Sequence, residues 1–140
     1  MLNRILCFFM SILITVCSFL GIHIGGEKEK PEMISLDPSN AFLTIALDEN
    51  PSTGYTWDWS ASDESVLRLS YFLYLPDSSW MLLGSGGVRT FAFAADQPGS
   101  TELTFTYQRG WEDTPIRTVV IACTVSPDLT IQAQCISDVS

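Results

Sequence analysis

The 140 residues, 15.5 kDa in mass, suffice for one ordinary domain and not for two, and a hydrophobic content of 46% with mean hydropathy +0.22 argues against disorder. Seven basic residues against sixteen acidic ones give a formal net charge of −9, a surface that repels phosphate backbones and excludes nucleic acid as a partner. The single histidine, His23, sits in an apolar N-terminal run, so the chain behind it has no histidine for Ser–His or Cys–His catalysis or for a metal site.

Met1–Arg4 carries the one early positive charge, and Ile5–Ile24 contains no charged residue. That is the layout of a secretory signal, with a cut after Ser18 placing Val16 and Ser18 in the small-residue positions. The apolar run of about 20 residues is also long enough for a retained membrane anchor. Cys17 offers a third reading, a lipid-attachment cysteine, although Val16 before it is bulkier than such sites take. All three make residues 1–26 a signal peptide or N-terminal anchor helix. The domain is therefore expected to be exported: secreted, periplasmic or membrane-anchored facing outward. Residues 27–33, opening with Glu27–Glu32 (EKEKPE), read as a flexible, solvated spacer.

Beyond the spacer the apolar residues recur with period two, as when one sheet face is buried and the other wet. Leu43, Ile45 and Leu47 mark the first such strand, and Tyr55, Trp57 and Trp59 line the next. Leu67, Leu69 and Tyr71 alternate with Arg68 and Ser70, then Phe91 and Phe93 with Thr90 and Ala92. Leu103, Phe105 and Tyr107 follow, and last Val119, Ile121, Cys123 and Val125. Turn chemistry separates the runs at Asn50-Pro51, Pro76-Asp77, Gly84–Gly87 and Gln97-Pro98-Gly99. The expected fold is all-β: an antiparallel, immunoglobulin-like sandwich of six to eight strands over residues 34–126, with 127–140 as a C-terminal tail. Trp57 and Trp59 are the large core fillers between its sheets. The Cys–Trp–Cys spacing of antibody domains is absent, so the likeness is one of architecture.

Cys123 and Cys135 are the two cysteines of this domain. In an exported protein they are candidates for a disulfide. Cys123 also lies in phase with Val119, Ile121 and Val125, which reads as a buried thiol. The carboxylate pairs Asp48–Glu49 and Glu112–Asp113 are the only enzymatic chemistry left. Adjacent acidic residues in turns are ordinarily solvated, and no spaced calcium-ligand pattern appears. No enzyme activity, cofactor or metal is expected.

Recognition in such a sandwich falls to loops, and three segments stand out. In Asn50-Pro51-Ser52-Thr53-Gly54-Tyr55, proline fixes one backbone angle and glycine permits a positive φ, so that Ser52 and Thr53 sit at a rigid tip. It reads equally as an ordinary turn. Leu83-Gly84-Ser85-Gly86-Gly87 exposes bare backbone, and it lacks the Lys and Ser/Thr of a phosphate-binding loop. In Tyr107–Asp113 (YQRGWED), Arg109 and Trp111 are either an interface hot spot or a tryptophan folded back beside a cation–π neighbour.

Together NPSTGYTW, LLGSGG and YQRGW resemble the three recognition loops of the chagasin family, small inhibitors of papain-like cysteine proteases. That family's pattern is roughly NPTTGY/F with a following Trp, GxGG, and R-P-W/F, and the resemblance covers about residues 34–126. Asp77-Ser78 before the second motif adds to it. The resemblance implies reversible, competitive, non-covalent inhibition by a monomer. Asn50–Tyr55 would enter the protease cleft, Gly84–Gly87 would lie along its non-primed side, and Arg109 with Trp111 would clamp the primed side. Two residues depart from the pattern. Ser52 replaces threonine and keeps the hydroxyl. Gly110 replaces proline, which is expected to loosen the third loop at a cost of about 1 kcal/mol on binding. The alternative is a non-inhibitory exported binding or adhesion module on the same scaffold. The two differ in whether Ser52–Thr53, Gly86 and Trp111 converge on one edge or point apart.

Overall fold

The computed structural model describes residues 31–77 and 84–140. The apolar segment 1–26 and most of the spacer lie outside the described residues, and so do Ser78 and Leu83. Eight strands are described: β1 (Ile34–Leu36), β2 (Phe42–Glu49), β3 (Tyr55–Ala61), β4 (Leu67–Pro76), β5 (Gly87–Ala95), β6 (Gly99–Arg109), β7 (Arg117–Val125) and β8 (Ile131–Val139). They form two four-stranded antiparallel sheets, ordered β1-β2-β5-β4 and β3-β6-β7-β8.

The period-two residues meet between the sheets. Leu43, Ile45, Leu47, Phe91 and Phe93 from one face Leu103, Phe105, Val119 and Ile121 from the other, all buried. Phe93 and Phe105 meet in a T-shaped pair, and Trp59 and Phe93 in another at 5.0 Å between centroids. Trp57 is buried with its indole N–H donating to the Asp48 carbonyl at 2.8 Å, which removes the cost of an unpaired polar atom. Trp59 is only partly buried.

Three expectations change. Residues 127–140 are not a tail: β8 pairs with β7 along its length, and Ile131 is buried in the core. Its alternation is muted because Ala133 and Cys135 fill the inner positions, and the register shifts opposite Val120–Ile121, leaving Ile136 out of the ladder and exposed. In β4 a second irregularity follows Leu69. It places Tyr71 opposite Ala92 and Phe72 opposite Phe91, so Phe72 and not Tyr71 takes the inner phase, 61% exposed on an edge strand. Finally, Cys123 and Cys135 are free. Cys123 stands opposite Ala133 and Cys135 opposite Ile121, a diagonal relation. Diagonal neighbours are about 7–8 Å apart, at or beyond the reach of a disulfide. Burial pushes the Cys123 thiol up to about 11.

The antiparallel order brings three connections to one end: 50–54 between β2 and β3, 77–86 between β4 and β5, and 110–116 between β6 and β7.

Candidate functional site

Loop 1 builds its own rigidity. Residues Pro51–Thr53 form one 3-10 turn, entered through Asn50 in extended conformation and left through Gly54 at φ +79°. The Asn50 carboxamide oxygen accepts from the Ser52 amide at 3.2 Å and from the Ser52 hydroxyl at 2.6 Å. The Thr53 hydroxyl donates to the Asn50 carbonyl at 2.7 Å, and the Gly54 amide to the Pro51 carbonyl at 3.1 Å. Both hydroxyls at the tip thus spend their proton inside the loop and present lone pairs outward. The Asn50 amide donates to the Tyr107 hydroxyl at 3.0 Å, tying the loop to β6.

Loop 2 is described from Gly84 onward. Its base closes where the Asp77 amide donates to the Gly86 carbonyl at 3.0 Å. The Asn50 carboxamide donates to the Gly84 carbonyl at 3.1 Å, which fastens loop 2 to loop 1. At Gly86 a β-carbon would come within 3.3 Å of the Glu49 carbonyl. Gly87 is not a loop residue: it opens β5 opposite Glu49 and Pro76, and a β-carbon there would run into the Tyr74 hydroxyl at 2.6 Å.

Loop 3 leaves β6 at Arg109 and turns at once, the Glu112 amide donating to the Arg109 carbonyl at 3.0 Å. Arg109 lies 4.3 Å over the Tyr55 ring and donates from Nε to the Thr53 carbonyl at 3.1 Å. Its other arm pairs with Glu112 at 3.1 Å. Trp111 remains 75% exposed, its ring edge against Gly54, where a β-carbon would sit 3.0 Å from Cη2. Behind it a column of rings runs into the core: Tyr55 and Tyr107 at 5.4 Å, then Tyr107 stacked on Trp57 at 4.8 Å.

The three segments therefore converge on one edge, with Ser52–Gly54 between Gly84 on one side and Trp111 on the other. An open cavity of about 450 Å³ lies beside this edge, lined by Asp48, Glu49, Asp77 and Arg117 and reached by Asn50 of loop 1 and Gly86 of loop 2, whereas Ser52, Thr53, Gly54 and Trp111 are not among its lining residues.

Several contributors escape a reading of the sequence by motif. Glu49 is buried and pairs with Arg89 at 2.5 and 2.8 Å while accepting from Thr56 at 3.3 Å, an ion pair joining β2, β5 and β3 beneath loops 1 and 2. The Glu49 hydrogen bond holds Arg89 more firmly protonated than usual. Glu49 occupies the core phase of Leu43, Ile45 and Leu47, and a charge in that phase signals a buried partner. Tyr107 and Glu112 stand in the third segment, but their roles depend on Asn50 and Arg109. The expectation that both acidic pairs are solvated fails for Glu49, which is buried and held by Arg89, while Glu112 is held by Arg109; Asp48, Glu49 and Asp77 all line the open cavity beside the edge.

A family model described as chagasin family peptidase inhibitor I42 matches residues 38–125, which takes in β2 to β7 and all three loops. The chain belongs to the chagasin family of peptidase inhibitors. This is a family of inhibitors and not of enzymes. Among solved structures, the crystal structure of the cysteine protease inhibitor EhICP2 from Entamoeba histolytica is similar, with 27% identity and a TM-score of 0.52 over 61% of this chain and 78% of that one. No curated protein matches the chain by sequence. Strand β8 lies beyond the residues that the family model matches.

Proposed function

We propose that this domain is a reversible, competitive inhibitor of papain-like cysteine proteases. Loop 1 fills the catalytic cleft, the Gly84–Gly86 backbone lies along the non-primed side, and Trp111 packs on the primed side. The observation that carries this reading is the mutual fastening of the three loops: Asn50 to Gly84, Arg109 to Thr53, Trp111 to Gly54. An edge ordered before binding loses little entropy when it docks.

The backbone also supports inhibition without cleavage. Protease substrates bind extended, whereas Pro51–Thr53 is a 3-10 turn whose Pro51 carbonyl is engaged by the Gly54 amide. No scissile carbonyl is offered in line with a nucleophile, and nothing in the edge forms a covalent bond. Bare glycine backbone in loop 2 suits main-chain pairing along a cleft wall. Trp111 supplies the large, nearly desolvation-ready surface typical of an interface anchor. A monomer suffices. We also place the domain outside the cytoplasm, on the strength of the basic start and the uncharged run Ile5–Ile24.

The test is titration of the protein against papain and a cathepsin L-like enzyme, with Trp111→Ala and a Ser52/Thr53→Ala pair alongside. Competitive inhibition in the nanomolar range, weakened by both variants, is the expected result. A folded protein that leaves several such proteases uninhibited at micromolar concentration would overturn the reading and favour a non-inhibitory binding module.

A further inference from the structure

Between Arg109 and Trp111 the chain passes through Gly110, where nothing lies within 4 Å of the position a β-carbon would take. No side-chain packing at this position therefore helps to hold the backbone that carries Trp111. Two contacts bridge the glycine: the turn hydrogen bond from the Glu112 amide to the Arg109 carbonyl, and the Glu112 carboxylate on the Arg109 guanidinium, each 3.1 Å or less. The same guanidinium donates from Nε to the Thr53 carbonyl and rests over Tyr55. A guanidinium is a rigid planar fork, so fixing one arm fixes the direction of the other.

We infer that Glu112 is a positioning residue for the inhibitory edge: through Arg109 it holds the Thr53 carbonyl of loop 1 and the Trp111 backbone of loop 3 in one arrangement before a protease arrives. This rests on the reading under Proposed function. The pair's side chains are 33% and 34% exposed. An ion pair so exposed contributes little to global stability, and its effect falls on the order of the two loops.

The experiment compares the protein with Glu112→Ala, Arg109→Met and the double variant. It reads association and dissociation rates with papain, and backbone 15N order parameters at Gly54 and Trp111 in the free protein. Glu112→Ala is expected to raise the inhibition constant about two- to fivefold, through slower association as the competent population shrinks. The Gly54 order parameter should fall from about 0.85 towards 0.6, although Glu112 does not touch Gly54. In the Arg109→Met background, Glu112→Ala should change nothing further. Effects that multiply independently, or faster dissociation with unchanged order parameters, would overturn the inference, because Glu112 would then act on the protease directly. If the unmodified protein inhibits no papain-like enzyme, the functional reading falls, while the order parameters still decide whether Glu112 orders the two loops.

Discussion

Gly54 and Gly110 flank the same edge and make opposite predictions for the same substitution. Gly54 sits at φ +79°, and a β-carbon there would lie 3.0 Å from Cη2 of Trp111 and 3.9 Å from Nε of Arg109. Left-handed backbone costs an alanine about 1–2 kcal/mol. The indole adds little to this, since a ring 75% exposed swings aside instead of straining the fold. At roughly 4–8 °C per kcal/mol for a domain near 100 residues, the loss corresponds to a melting temperature lower by roughly 4–16 °C. Inhibition should fall further than stability does, because the displaced ring is the interface anchor, and a loss of about 2 kcal/mol there is near thirtyfold. Gly110 has open space around its β-carbon position. Gly110→Ala should therefore stabilise by about 0.4–1 kcal/mol through the unfolded chain, with inhibition preserved or improved. Thermal melts and inhibition constants of the two variants decide it. Equal melting shifts for the two alanines, or a Gly54→Ala protein that inhibits at full strength, would refute the account of loop 1 and Trp111.

Tyr107→Phe removes the acceptor of the Asn50 amide and should cost about 1–2 kcal/mol for the donor left behind; an unchanged melt and inhibition constant would mean that water replaces the hydroxyl. Burial holds the Cys123 thiol up at about 11, so at pH 8 only about one part in a thousand is thiolate. Mass spectrometry after iodoacetamide should find Cys123 unlabelled in the native protein and labelled in denaturant; rapid native labelling would sink the burial argument. Arg117 holds the Asp138 carboxyl below its ordinary value through a hydrogen bond. A carboxyl lowered in the folded state contributes fully above its unfolded value of about 4, and loses that contribution as pH falls through the folded value. Asp138→Asn should therefore lower stability by under about 1 kcal/mol at pH 7 and flatten the acid side of the curve below pH ~4. An acid limb as steep as that of the parent would show the pair to be idle.

Strands β2, β3, β6 and β7 are legible because their inner positions carry large apolar residues against threonines and charges. Legibility fails where that contrast fails. In β4, Tyr71 and Phe72 are both aromatic, so the sequence holds no sign of which one the irregularity after Leu69 turns inward. In β8, Ala133 and Cys135 are too small to announce a buried face. The three loops are recognisable as motifs, and in the first of them Pro51 and Gly54 are demanded by local geometry, the start of the 3-10 turn and its left-handed exit. Their fastening is not, because Arg109 meets Thr53 across 56 residues and Asn50 meets Gly84 across 34. Glu49 is missed although it carries a signal, a charge in the phase of Leu43, Ile45 and Leu47: beside Asp48 it reads as a solvated turn residue, and its partner Arg89 lies 40 residues away.

Among the described residues no covalent cross-link braces the sandwich: Cys123 and Cys135 are unpaired, and packing, ladder hydrogen bonds and ion pairs carry its order. A protease that works with a thiolate stays active only where thiols are kept reduced. In such surroundings an inhibitor held by cystines would be dismantled by the reductant that arms its target. Under the proposed function, the described domain has no cystine to lose where such a protease is kept active, and added reductant should leave its melting temperature where it was.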